Sequence, residues 1–130
     1  MPIAKLGRGV RAAGRLTETQ IQRAVVLHLR QRGVPGLVFC HCPNGGYRRP
    51  TEAAIFKALG VRAGVADLLL WHDGKSFALE LKAPGGRPTE AQLAFLADFD
   101  EQGGFTAITD DLDRALATLT AWGLLRGKPG

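Results

Sequence analysis

Two apolar runs separated by the dipeptide Asp73-Gly74 constrain this 130-residue chain more than any other feature. The first run is Asp67-Leu68-Leu69-Leu70-Trp71-His72, and the second is Ser76-Phe77-Ala78-Leu79-Glu80-Leu81-Lys82. Asp-Gly suits the two positive-φ positions of a tight turn, so the segment is predicted to be a β-hairpin. A two-residue turn pairs His72 with Lys75, and counting back sets Asp67 opposite Glu80. Side chains alternate along a strand, so Glu80 and Lys82 share one face while Leu79 and Leu81 share the other. Two carboxylates then face each other across the hairpin, with an amine one step along. Like charges directly opposed in a sheet are destabilising, and a divalent cation is the candidate that neutralises them. The bland alternative makes Asp67 a strand cap and leaves Glu80 and Lys82 on a solvated face. The unbroken apolar run Leu68 to Trp71 argues against it. It predicts a central strand buried on both faces, beside which charges are not cheaply solvated.

The remaining composition bounds the class. One domain with a substantial core is expected at this length. Hydrophobic content of 45% and charged content of 22% are ordinary for a globular protein. No apolar stretch approaches the roughly 18–20 residues that span a bilayer. The N-terminus carries positive charge without the apolar segment of a secretory signal, so a cytoplasmic location is expected. Cys40 and Cys42 stand two apart in a predicted strand, an arrangement that rarely forms a disulfide and fits a reducing compartment. The net charge of +5 implies a polyanionic partner, with nucleic acid first. Lys5, Arg8, Arg11 and Arg15 precede any acidic residue, and residues 1–15 are read as a flexible basic arm. Residues 16–126 are read as a single domain and 127–130 as a tail. Arg48, Arg49, Lys57 and Arg62 form a second basic cluster.

Thr17-Glu18-Thr19-Gln20 is a capping box opening a helix over 18–32 that stops at Gly33. Ile21, Val25 and Leu29 recur on its buried stripe. Leu37 to Cys42 reads as a strand, Asn44-Gly45-Gly46 as a turn, and Thr51 to Leu59 as a short helix ended by Gly60. After the hairpin, Thr89-Glu90-Ala91-Gln92 repeats the capping box and opens a helix to about Gln102. Phe105 to Thr109 is a last strand, and Asp110 or Asp111 caps a final helix through Trp122. The order α-β-α-β-β-α-β-α predicts an α/β fold with a mixed sheet flanked by helices.

The ordered set Glu18, Asn44-Gly45, Gly64-x-x-Asp67, Glu80-x-Lys82 and Gln92 resembles the virus-type replication–repair nuclease (VRR-NUC) family. That family is a branch of the restriction-endonuclease-like PD-(D/E)XK superfamily, and the resemblance spans about residues 17–110. It implies a three-layer α/β/α fold with a mixed central sheet. Ala66 departs from the pattern, since the superfamily's name places proline before the aspartate. The resemblance implies that Asp67 and Glu80 hold Mg2+ or Mn2+, hard cations that prefer oxygen ligands. The Leu81 carbonyl adds an oxygen, and Glu18 is a further ligand from the first helix. Lys82 would orient or deprotonate a metal-bound water, or stabilise the transition state. Gln92 would position the metal or the phosphate. As plainer readings, Glu18 is an acid favoured at a helix N-terminus and Gln92 is the capping partner of Thr89.

Hydrolysis of DNA phosphodiester bonds by a metal-dependent endonuclease is therefore the expected activity, with no small-molecule cofactor and no membrane partner. Branched or junction DNA is the expected substrate, in replication, repair or recombination. Asn44, Gly45, Tyr47, Arg48 and Arg49, extended by Lys57 and Arg62, are expected to contact the DNA backbone. A branched substrate favours a homodimer, and Leu116, Leu119, Trp122 and Leu125 offer apolar surface for one. The alternatives are a non-catalytic nucleic-acid-binding module on the same fold and an adaptor domain. A phosphate binder gains nothing from opposed acids, which argues against the first. Cys40-His41-Cys42 with His28 or His72 invites a zinc reading, but zinc sites need four ligands and wider cysteine spacing. Cys40 and Cys42 are expected to pack as small apolar residues. His41 is expected on the opposite face from them, near the carboxylates without being a ligand.

Overall fold

The computed structural model describes residues 15–43 and 49–127. Helices α1 (Glu18–Arg32), α2 (Pro50–Ala58), α3 (Glu90–Glu101) and α4 (Leu112–Ala121) alternate with strands β1 (Val38–His41), β2 (Leu68–His72), β3 (Lys75–Leu81) and β4 (Phe105–Thr109) in the expected order. Local chemistry sets the boundaries. At α1, Gln20 N–H donates to Thr17 Oγ1 at 3.1 Å and Thr17 N–H donates to Gln20 Oε1 at 2.8 Å, which satisfies donors that a helix start leaves over. Thr89 and Gln92 repeat the arrangement at α3. Pro50 occupies the first turn of α2, where its missing N–H costs nothing. Asp111 caps α4 by accepting from Arg114 N–H at 3.0 Å.

The four strands form a mixed α/β sheet in the order β1-β2-β3-β4. β1 pairs antiparallel with β2 from Val38–Trp71 to His41–Leu68. β2 pairs antiparallel with β3 from Leu68–Leu79 to His72–Lys75. The connecting turn has φ of 52° at Asp73 and 75° at Gly74, the two positive values that the hairpin reading requires. In a mixed sheet β4 must then run parallel to β3, and α3 lies in the crossover that such a pairing needs. Phe77 stacks on Phe105 with centroids 5.2 Å apart, and Lys82 N–H donates to the Thr109 carbonyl at 2.8 Å.

The chain divides into two compact units. One comprises the described residues of Met1–Pro35, Leu81–Arg87 and Thr109–Gly130; the other comprises those of Gly36–Glu80 and Pro88–Ile108. In the first, α1 packs on α4, burying Ile21, Val25 and Leu29 of α1 and Ala115 and Leu119 of α4. Leu124 and Leu125 close the same unit, where Val34 N–H donates to the Leu124 carbonyl and Gly33 bridges to Leu125. This corrects in part the expectation that the C-terminal segment leaves apolar surface to spare, since Leu116 and Trp122 are only half-buried. Leu119 and Leu125 are consumed by their own unit's core, because the chain past Gly123 folds back onto the end of α1. Several large apolar residues are exposed, among them Leu27 on α1, Val38 on β1, and Ile55, Leu59 and Val61 on and just after α2, with Leu59 75% exposed.

In the second unit Ala66, Ala78 and Leu96 form a small buried cluster against which Leu69, Phe95 and Phe99 pack. The expectation that β2 is shut on both faces is corrected in part. Leu68 and Leu70 are wholly buried, but Leu69 is half-buried and Trp71 remains 38% exposed. Trp71 lies toward the hairpin turn, past the cluster that covers Leu69, and its large indole is covered only in part. The strand buried on both faces is β3, from Phe77 to Leu81. Its alternation therefore carries Glu80 into the interior rather than onto a solvated face.

Candidate active site

Asp67 sits directly ahead of β2, in the unit that contains the hairpin. Three features fix its place. The loop before it passes the first turn of α3 at Gly64, where φ is +84° and a Cβ would lie 2.3 Å from the Ala91 carbonyl oxygen and 2.7 Å from Gln92 N. Only glycine permits that approach and that backbone together. Ala66 is wholly buried in the small cluster. The Asp67 N–H donates to Glu80 Oε1 at 3.2 Å, continuing the hairpin register by one residue beyond the Leu68–Leu79 pair.

Glu80 is 1% exposed, an uncommon setting for a carboxylate. His41, the last residue of β1, places Nδ1 2.7 Å from the Asp67 carbonyl oxygen. A carbonyl only accepts, so Nδ1 carries the proton in this contact. Among the described residues, no three or more His, Cys, Asp or Glu side chains gather as a metal cluster. The hard-oxygen donors here are the carboxylates of Asp67 and Glu80, residues joined through the Asp67 N–H. That set fits a Mg2+-type ion, which usually takes one or two protein carboxylates and keeps several waters.

Gln92 belongs to the same unit and its side chain accepts from Thr89 N–H at 2.8 Å, so the capping role is filled. Of the basic residues expected against DNA, Arg49 and Lys57 are exposed at the two ends of α2. Arg62 is already engaged: its guanidinium donates to Asp98 Oδ2 at 2.7 Å and lies 5.3 Å from the centre of the Phe95 ring. Asn44, Gly45, Tyr47 and Arg48 lie outside the described residues, as does the basic arm through residue 14.

Glu18, Leu81 and Lys82 belong to the other unit. Glu18 is half-buried in the first turn of α1, where the helix dipole favours an acid. Leu81 is wholly buried. Lys82 is half-buried, and its backbone is tied to β4 through Thr109. The turn after it is braced by Gly85 N–H donating to Asp110 Oδ2 at 3.1 Å. β3 ends at Leu81, and Lys82 follows it directly in the chain.

Cys40 and Cys42 are both free thiols. Burial, then the neighbouring Cys40 as a charge and as a hydrogen-bond partner, pushes the Cys42 thiol up from its ordinary range. The expectation that both pack as small apolar residues is corrected for Cys40, which is exposed; Cys42 is half-buried. Two contacts were not legible in the chain: the imidazole of His41 on the Asp67 carbonyl, and the passage of Gly64 over α3. The signal for the first is the register, which pairs His41 with Leu68, the neighbour of Asp67.

A family model described as the VRR-NUC domain matches residues 16–110. A solved structure described as a VRR_NUC domain protein superposes with a TM-score of 0.67, at 23% identity, over 82% of this chain and 87% of that one. At that identity the likeness establishes the fold. None of the curated proteins matches this sequence.

Proposed function

Because this chain belongs to the VRR-NUC family, which is of nuclease type, we propose that it is a metal-dependent DNA endonuclease. The observation that carries the reading is the junction of Asp67 with Glu80. A carboxylate 1% exposed is brought against the residue that bears the second carboxylate, at the mouth of a hairpin whose register is fixed. Mg2+ or Mn2+ is the ion such oxygens select. When bound, it lowers the pKa of a coordinated water and polarises a phosphoryl oxygen.

The chain's own residues then have distinct tasks. Asp67 and Glu80, with the Leu81 carbonyl and Glu18, would hold the ion. Lys82 follows Glu80 two residues along the chain and supplies an amine, which donates to the phosphate in its charged form or takes a proton from the attacking water when neutral. Gln92 keeps the start of α3 in place against the Gly64 loop, and its capping bond is part of that task. Arg49 and Lys57 contact phosphates from outside the site, and the net charge of +5 draws the protein to DNA. Branched DNA is the proposed substrate. A homodimer would present two sites related by a two-fold axis, and the exposed apolar residues Ile55, Leu59 and Val61 favour such an association.

A panel of labelled duplex, flap, splayed-arm and four-way-junction DNA with Mg2+ or Mn2+ tests the reading. Cleavage that needs the ion, favours the branched forms and is absent from Glu80→Ala is expected. DNA binding without cleavage under either ion, strengthened in Asp67→Ala, would replace the enzyme reading with a binding module.

A further inference from the structure

We infer that His41 is a positioning residue for Asp67: its Nδ1–H holds the Asp67 carbonyl and thereby aims the carboxylate at the ion. The inference rests on the metal reading of Asp67 and Glu80 given above. Asp67 lies outside the hydrogen-bonded ladder of β2, which begins at Leu68. β1 ends at His41, whose ladder partner is Leu68. The imidazole of His41 reaches the next carbonyl back along the chain, with Nδ1 2.7 Å from the Asp67 oxygen. On the other side of the same Cα, the Asp67 N–H is held by Glu80 Oε1 at 3.2 Å. The two peptide groups that flank the Cα are thus both anchored, which fixes the direction in which its side chain leaves the backbone.

His41 itself is exposed. Its ring contributes little to any core, so the bond to Asp67 is the contact that accounts for its orientation. Ligands of a metal need to be held within about 0.5 Å of the productive geometry. Losing the group that orients a ligand typically lowers metal affinity by about 10–100-fold.

Side-chain geometry separates the two ring nitrogens. In asparagine the amide nitrogen is attached to Cγ, as Nδ1 is in histidine, so Asn preserves the donor to Asp67. In glutamine the amide nitrogen lies one bond further out and stands in for Nε2. Calorimetric titration of Mn2+ into the full-length wild type, His41→Ala, His41→Asn, His41→Gln and Asp67→Ala uses this difference. The account expects wild-type binding, a loss of about 10–100-fold in His41→Ala and His41→Gln, and affinity within about threefold of wild type in His41→Asn. Long-range 1H–15N correlation of the metal-free wild type is expected to show His41 protonated at Nδ1. Wild-type affinity in His41→Ala, rescue by Gln rather than Asn, or an Nε2-protonated ring each overturns the inference while leaving the metal site standing. Absence of Mn2+ binding by the wild type itself overturns the metal reading, and the inference with it.

Discussion

Gly64→Ala probes the link between the Asp67 loop and α3, and Gly60→Ala supplies its internal reference. Both glycines have strongly positive φ, 84° and 97°. An alanine at either position is forced into the left-handed region, at roughly 1–2 kcal/mol. At Gly60 nothing lies within 4 Å of the added methyl, so that cost is the whole effect. At Gly64 the methyl meets the Ala91 carbonyl carbon at 2.4 Å and its oxygen at 2.3 Å. Those atoms are backbone in the capped first turn of a helix and cannot rotate aside as a side chain would. Overpacking of this kind adds roughly 1–3 kcal/mol. Gly64→Ala should therefore lose about 2–5 kcal/mol, and exceed Gly60→Ala by about 1–3 kcal/mol. Urea unfolding followed by the fluorescence of Trp71 and Trp122 reads this directly. With a slope of about 2 kcal/mol/M, the two midpoints should differ by roughly 0.5–1.5 M. Equal midpoints for the two variants would show that the loop does not press on Ala91–Gln92, and the placement argued for Asp67 would fail with it.

Leu119→Ala should cost about 2–5 kcal/mol in the same assay, because Leu119 is wholly buried on α4; a loss under about 1 kcal/mol would mean that α4 is not packed on α1. Arg62→Ala should lower stability by only about 1 kcal/mol, since the pair with Asp98 is exposed at 46% and 62% of its side-chain surfaces. It should also leave the salt dependence of DNA binding unchanged, whereas Lys57→Ala should reduce the slope by about 1. The raised pKa of Cys42 leaves less thiolate at a given pH. Iodoacetamide at about pH 8 should therefore modify the exposed Cys40 before the half-buried Cys42. The double variant Cys40→Ser, Cys42→Ser should keep its nuclease activity, which zinc dependence would contradict.

What was legible in the chain was whatever short-range chemistry dictates. Thr17 with Gln20 and Thr89 with Gln92 set two helix starts without help from distant residues. Asp73-Gly74 fixed the hairpin register and so carried Asp67 to Glu80. Burial was less legible, because it depends on which neighbour arrives. The apolar run of β2 pointed to a doubly buried strand, yet Trp71 reaches past its cover and β3 takes that place. Leu125 looked available for a partner, but a turn at Gly123 returns it to the end of α1. Long-range polar contacts were least legible. Nothing within a few residues of His41 or Arg62 indicates that one finds the Asp67 carbonyl and the other finds Asp98 and Phe95.

The central claim is that Asp67 and Glu80 share one divalent ion. A crystal of the wild-type protein soaked in MnCl2, with diffraction measured at the manganese absorption edge, addresses it most directly. The account predicts an anomalous peak roughly 2.0–2.2 Å from a carboxylate oxygen of each residue. Fully occupied manganese bound only elsewhere on the protein, with these two side chains turned apart, would contradict it.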